Sequence, residues 1–212
     1  MSDKRPATTR RQPPEVRRRM LLDAARTVIA ERGLHATTIR DVAAAGQVAV
    51  GTVTYHFTGI DQVLAGVLES EMESFSAPLW RRAGEAGDGA TGIAVLIDGL
   101  LASDQRTREH WRLWLDFWAL AAHFPDYSAW QSRVYRDLHA LTAELLARGS
   151  ADGTLRVSAP ADEAIELIAM LDGLVVQSYL PGAALSPKRA RDMLHRYVAA
   201  SMSVRPAGAA EG

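Results

Sequence analysis

With 212 residues, 48% of them hydrophobic and 23% charged, the chain can bury an ordinary core as one or two compact domains. It has no cysteine, which excludes disulfides, thiolate catalysis and cysteine-ligated zinc. The net charge of −1 is unevenly spread: residues 1–60 hold 10 Lys or Arg against 5 Asp or Glu, and the rest hold 14 against 20.

The positive charge is concentrated at the start. Lys4, Arg5, Arg10, Arg11, Arg17, Arg18 and Arg19 oppose only Asp3 and Glu15, and Pro6, Pro13 and Pro14 disfavour a helix. Residues 1–14 are therefore expected to be a disordered basic arm, a type of segment that can add phosphate or minor-groove contacts to a reading head. The arm lacks the apolar core and cleavage site of a secretory signal. The longest nearly uncharged apolar run, Leu167 to Leu180, is broken by Asp172 and Gln177 and falls short of the ~20 residues a bilayer requires. The expected location is the cytoplasm, with no membrane partner.

From Glu15, Met20, Leu21, Ala24, Ala25, Val28 and Ile29 recur at helical spacing until Gly33 stops the helix. Thr37 or Thr38 can cap a short second helix carrying Ile39, Val42 and Ala43 and ending near Gly46. The next stretch, VAVGTVTYHF, is ambiguous. Its β-formers flank Gly51-Thr52, as in a hairpin, yet the same letters can form a short helix. As a helix it would turn Val50, Val53 and Phe57 toward the preceding helices and Thr52, Tyr55 and His56 outward, where hydroxyl, phenol and imidazole can each donate to a phosphate oxygen.

A fourth helix is expected from Ile60 to Phe75. Residues 84–92, with four glycines, are predicted to be loop. Helices follow at about 93–103, 106–123, 126–148, 161–180 and 187–202, with Gly149 to Pro160 separating the third of these from the fourth.

The second of these, in HWRLWLDFWALAAHFPDYSAW, places Trp111, Trp114 and Trp118 on one face and Leu113, Phe117, Leu120 and Phe124 on another, so other helices must surround it. The tryptophan face is either plain core or the wall of a ligand cavity, with Tyr127, Trp130 and Tyr135 nearby. Aromatic walls suit cations. Asp116 could face such a cation or pair with Arg112 four residues earlier. Asp172, among Leu171, Leu174, Val175 and Val176, also needs a partner: another subunit, a helix terminus or a ligand. On the last helix Ala190, Met193, Leu194, Tyr197 and Val198 form an apolar stripe, behind a Ser186-Pro187 start. No HExxH, phosphate-binding glycine loop or metal-ligand histidine spacing is present, so no enzyme, cofactor, catalytic residue or metal site is expected.

ERGLHATTIRDVAAAG followed by VAVGTVTYHF resembles the DNA-binding domain of the TetR family of transcriptional regulators. That resemblance favours the helix over the hairpin. It implies an all-α fold: a three-helix helix-turn-helix domain at 15–60, a linking helix at 61–75, a ligand-binding and dimerisation domain at 76–204, and a disordered tail at 205–212. It further implies that Thr38 and Arg40 lie at the DNA end of the second helix, that Val50, Gly51, Thr52 and Thr54 ride on the recognition helix, and that Tyr55 and His56 meet phosphates. Three positions depart from the family pattern: Ala49 stands where a hydroxyl usually caps the recognition helix, Gln47 follows Gly46 in the turn, and Ile60 replaces a common phosphate-binding lysine.

The second half, through Trp-Arg-Leu-Trp-Leu-Asp-Phe-Trp and Leu-Asp-Gly-Leu-Val-Val-Gln, is similar to the BetI-like branch of that family, which includes choline-responsive regulators. The resemblance implies a homodimeric repressor that binds a palindromic double-stranded operator through two recognition helices and is released by a small-molecule effector. Trp111, Trp114, Asp116, Trp118, Tyr127, Trp130, Tyr135 and Asp172 are the candidate effector residues.

Overall fold

The computed structural model describes residues 13–202, and apart from a single bridge residue at Leu155 the regular structure among them is helical. Most of the expected arm, and the tail after Val204, lie outside the described residues. The chain divides after Ser70 into two compact units.

In the first unit α1 spans Pro14–Arg32, so Pro14 belongs to the helix rather than to the arm. A proline at the first helical position loses no hydrogen bond, because that amide has no partner within a helix. Leu21, Leu22, Ala25, Val28 and Ile29 form its buried face, and Gly33, at φ 82°, ends it. A short 3-10 turn at Leu34–Ala36 leads into α2, Ile39–Ala45. Thr38 caps α2 reciprocally with Asp41: the Asp41 amide donates to Thr38 Oγ1 at 3.3 Å, and the Thr38 amide donates to Asp41 Oδ2 at 3.0 Å. Arg32 reaches the same carboxylate at 2.6 Å and ties α1 to α2.

The ambiguous segment is α3, Val50–His56, entered from Ala49 with no side-chain cap. Val53 and Phe57 are buried beneath it. Val50 departs from the helical-wheel expectation: it is 44% exposed, because the first residue of so short a helix lies at the edge of the packing. α4, Ile60–Glu71, closes the unit with Val63, Leu64, Val67 and Leu68. It crosses α1 at Gly66, where a Cβ would come within 2.8 Å of Leu22 Cδ2.

The linking helix was expected to stop at Phe75. Instead α4 continues through one π turn, Met72–Ser76, into α5, Ala77–Gly84. The Ala77 amide bonds the carbonyl of Met72, five residues back, and Pro78 has no amide with which to resume the four-residue pattern at once.

The second unit continues with α6 (Gly89–Leu100), α7 (Gln105–Ala121), α8 (Pro125–Asp152), α9 (Pro160–Tyr179) and α10 (Pro187–Met202). α8 packs against α6, α7 and α9, while α10 covers α9 and α6. Two glycine-based expectations are corrected here. Residues 89–92 are the first turn of α6, not loop, capped by Asp88 accepting from the Thr91 amide at 2.7 Å. α8 runs through Gly149 to Asp152 before Gly153, at φ 77°, ends it. A Cβ on Gly89 would lie 2.1 Å from the Gly149 amide nitrogen, so Gly89 lets the two helix backbones touch, while a Cβ on Gly149 would come within 2.6 Å of the Leu155 side chain. Among the described residues, no helix is long and apolar enough to cross a membrane.

Gln47, in the turn between α2 and α3, has φ 52°, a left-handed conformation that costs a side-chain-bearing residue about 1 kcal/mol. Gly46, just before it, is right-handed at φ −77°. Gln47→Gly is expected to raise stability by up to about 1 kcal/mol in urea denaturation, less the extra chain entropy glycine gives the unfolded state. A neutral or destabilising result would mean that the Gln47 side chain compensates for the strain.

Candidate nucleic-acid interface and ligand cavity

On the first unit, α3 is anchored by Val53 and Phe57 and turns a second face outward. Gly51 and Thr54 are exposed, Tyr55 is 75% exposed, and Thr52 and His56 are half-buried. Thr38 and Arg40, at the start of α2, are also exposed. The Tyr55 and His56 rings meet edge to face at 5.1 Å. Beneath them the Arg18 guanidinium lies over Phe57, 5.2 Å from its ring centre. A shallow groove runs between the start of α1 and α3, lined by Pro13, Pro14, Arg17, Ala49, Gly51, Thr52, Tyr55 and His56. Arg17 was not among the expected site residues; as part of a charge run it was assigned to the basic N-terminal segment. Among the described residues nothing lies within 4 Å of where a Cβ on Gly51 would be, so no contact among them requires glycine there.

In the second unit a partly open cavity of about 40 Å³ is bounded by Trp111, Trp114, Trp118, Tyr135 and Asp172, and also by Ser76, Trp80, Leu100, His110, Val134 and Leu138. Such a space holds little more than water as it stands. Trp130 and Tyr127 stand one layer behind: Trp130 stacks on Trp114 at 5.6 Å, and both meet the edge of Phe117. Asp116 is half-buried, Arg112 is exposed, and neither lines the cavity. Ser76 and Trp80 escaped the sequence reading because the π turn and α5 did. His110 escaped because histidines were weighed only as metal ligands, and its partner Glu71 lies 39 positions away.

Asp172 is held by Tyr135, whose hydroxyl donates to Oδ2 at 2.6 Å. Burial pushes the carboxyl up to about 6, partly offset by that hydrogen bond. Burial and the neighbouring carboxylate raise the Tyr135 phenol above its usual range. The indole N–H of Trp111 donates to the Leu100 carbonyl at 2.7 Å. Those of Trp114 and Trp118 are buried with no acceptor among the described residues, a loss that typically costs about 1–3 kcal/mol each.

His110 links this cavity to the π turn. Its Nδ1 lies 2.7 Å from Oε1 of Glu71, which is only 1% exposed, and its ring stacks on Phe75 at 3.8 Å. Arg106 donates to the same Glu71 oxygen at 2.6 Å and to Ser74 Oγ at 3.1 Å. Burial alone would raise the Glu71 pKa, but the hydrogen bonds and charges of His110 and Arg106 hold it down to about 2.

Comparison with known proteins agrees with this division into two units. Residues 21–67 match the family described as bacterial regulatory proteins, tetR family, and residues 90–203 match the BetI-type transcriptional repressor C-terminal domain. The HTH-type transcriptional regulator BetI of Burkholderia cenocepacia (strain HI2424) is 27% identical over 189 residues, covering 87% of this chain and 93% of its own. Its counterpart in Burkholderia mallei (strain NCTC 10229) is 28% identical, with 87% and 92% covered. Among solved structures, a putative transcriptional regulator from Saccharomonospora viridis in complex with choline superposes with TM-score 0.84 at 22% identity, over 90% of this chain and all of that one. A TetR transcription regulator from Haloarcula marismortui gives 0.80 at 17% identity, over 89% and 100%.

The depressed pKa of Glu71 sets a pH dependence. Because the folded value lies below the ordinary 4.5, its contribution is complete above pH 4.5 and is lost as pH falls toward 2. Glu71→Gln is expected to cost about 3 kcal/mol at pH 7 and almost nothing near pH 2, read as the difference between wild-type and variant unfolding curves. An equal difference at both pH values would mean that the charge on Glu71 contributes nothing.

Proposed function

The chain belongs to the tetR family of bacterial regulatory proteins, with a BetI-type C-terminal domain, and on that premise we propose that it is a dimeric, cytoplasmic repressor released from a palindromic operator by a small organic cation. Its relatives are DNA-binding transcriptional regulators rather than enzymes. The observation that carries the reading is the outward face of α3, where exposed Val50, Gly51, Thr54 and Tyr55 serve no packing purpose. Gly51 lets the α3 backbone approach base edges, with Val50, Thr52 and Thr54 beside it. Tyr55, His56, Thr38, Arg40 and Arg17 take phosphates.

Two such heads need a fixed spacing, which α9 and α10 supply. Ile165 (50% exposed), Ala169, Gly173, Val176 and Leu180 form an apolar exposed stripe along α9, and nothing among the described residues lies within 4 Å of a Cβ placed on Gly173. The expected α10 stripe is divided: Ala190 and Leu194 are buried within the chain, while Met193, Tyr197 and Val198 remain partly exposed. These surfaces from two copies make a four-helix seam with small residues at its centre, where the helices can approach closely.

The effector occupies the Trp111, Trp114 and Trp118 cavity, with its charge offset by Asp172, as the choline complex of the Saccharomonospora viridis protein suggests. A ligand larger than water must push the walls apart. Two of the wall residues, Ser76 and His110, connect to the π turn and to Glu71, the last residue of α4, so that displacement alters the spacing of the heads.

Fluorescence anisotropy on a palindromic fragment recovered from DNA that co-purifies with the protein tests the whole. Binding should weaken steeply with salt and be reversed by choline. No binding at low salt would sink the regulator reading; binding insensitive to any organic cation would sink the effector.

Two substitutions sharpen the test. Gly51→Ala should stabilise the protein by up to about 1 kcal/mol, since glycine is a poor helix former, and yet weaken operator binding at least tenfold. Unchanged operator affinity would remove Gly51 from the interface. Val176→Asp with Leu180→Asp should give a folded monomer in light scattering with greatly reduced operator affinity; a persistent dimer would place the seam elsewhere.

A further inference from the structure

The two unpaired indole donors carry information that the aromatic faces do not. Trp114 is 6% exposed, and both its Nε1 and that of Trp118 are sealed from solvent without an acceptor among the described residues. Buried donors are almost always satisfied, so an exception on side chains that line a cavity calls for a reason. Rotation does not relieve Trp114, because its ring is clamped by Trp130 at 5.6 Å, by His110 at 5.9 Å and by the edge of Phe117 at 5.6 Å. The fold can satisfy an indole in this same wall, as Trp111 shows by donating to the Leu100 carbonyl. Trp114 and Trp118 are four residues apart on α7, hence neighbours on one face, and both line the cavity.

We propose that Trp114 and Trp118 form an acceptor subsite: the ligand of this cavity is an organic cation bearing a hydrogen-bond-accepting oxygen, and the two indole N–H groups select for that oxygen. This rests on the cationic-effector reading above and adds a second determinant to it. The oxygen must travel on the cation. Asp172 lines the same small space with a carboxylate, so a free anion would be repelled, whereas a cation brings its acceptor in with its charge already balanced. In this arrangement the aromatic faces and Asp172 bind any small quaternary ammonium, and the indole donors decide which one binds well.

Isothermal titration calorimetry on the full chain tests this with three probes of nearly equal size: choline, its methyl ether, and propyltrimethylammonium, which replaces the hydroxyl by a methyl group. Choline and the ether, which both accept a hydrogen bond, should bind at least about tenfold tighter than the propyl compound. Trp114→Phe and Trp118→Phe keep an aromatic ring and remove the N–H. In the double variant both affinities should fall with the weaker cation–π face of phenylalanine, and the ratio of choline to propyltrimethylammonium affinity should drop to about one. Equal affinities in the wild type, or a preference for choline that survives in the double variant, would overturn the subsite and leave the cation reading standing. Loss of the preference with the ether alone would show choline's hydroxyl acting as a donor to Asp172 and would also overturn it. If none of the three cations binds, the effector reading itself fails and takes the subsite with it.

Discussion

Burying the carboxylate of Glu71 constrains the second unit more than any other single requirement. A carboxylate so enclosed is tolerable only if cations and donors meet it, and α7 supplies both Arg106 and His110 for that purpose. The two are four residues apart and therefore share a face, so engaging both fixes the rotation of α7 about its axis. Once that rotation is set, Trp111, Trp114 and Trp118 line the cavity together with residues of α5, α6, α8 and α9. The π turn belongs to the same arrangement: its extra residue lets α4 carry Glu71 inward and then pass into α5, which brings Ser76 and Trp80 to the cavity.

The cavity that results is tightly walled yet incompletely satisfied. Its aromatic rings brace one another through a second layer, Trp130 and Tyr127, that never touches the interior. Asp172 is mostly buried with one phenolic partner, and two indoles have none among the described residues. A cation that carries an acceptor would supply both the counter-charge and the hydrogen bond that the described residues leave out.

The first unit is built on the opposite principle: its internal demands are met locally. Thr38 and Asp41 satisfy each other, Arg32 ties the cap to α1, and Val53 and Phe57 anchor α3 from below. That leaves the outer residues of α3 free of structural duties. Two local costs remain, the uncapped start of α3 at Ala49 and the left-handed Gln47, both in the turn that aims the helix.

Where an element depends on its neighbours in sequence, the letters alone were enough. The stripe of α1, its stop at Gly33, a threonine cap at 37 or 38, and the tryptophan and leucine faces of α7 follow from spacing and local chemistry, and together they indicate a mainly helical chain with a surrounded aromatic helix. The choice of helix over hairpin for Val50–His56 came from the family motif rather than from propensity, because ten residues of β-formers around a glycine are locally ambiguous. Tertiary structure decided whatever depended on a distant partner: that Gly89 and Gly149 are packing contacts rather than loop signals, that Asp172 answers to Tyr135, that His110 and Glu71 meet across 39 positions, and that Asp116 stands outside the cavity wall. A glycine reads the same in a loop and at a helix crossing, and a buried acid reads the same whatever meets it; only the folded chain brings up the second backbone or the second side chain that tells them apart.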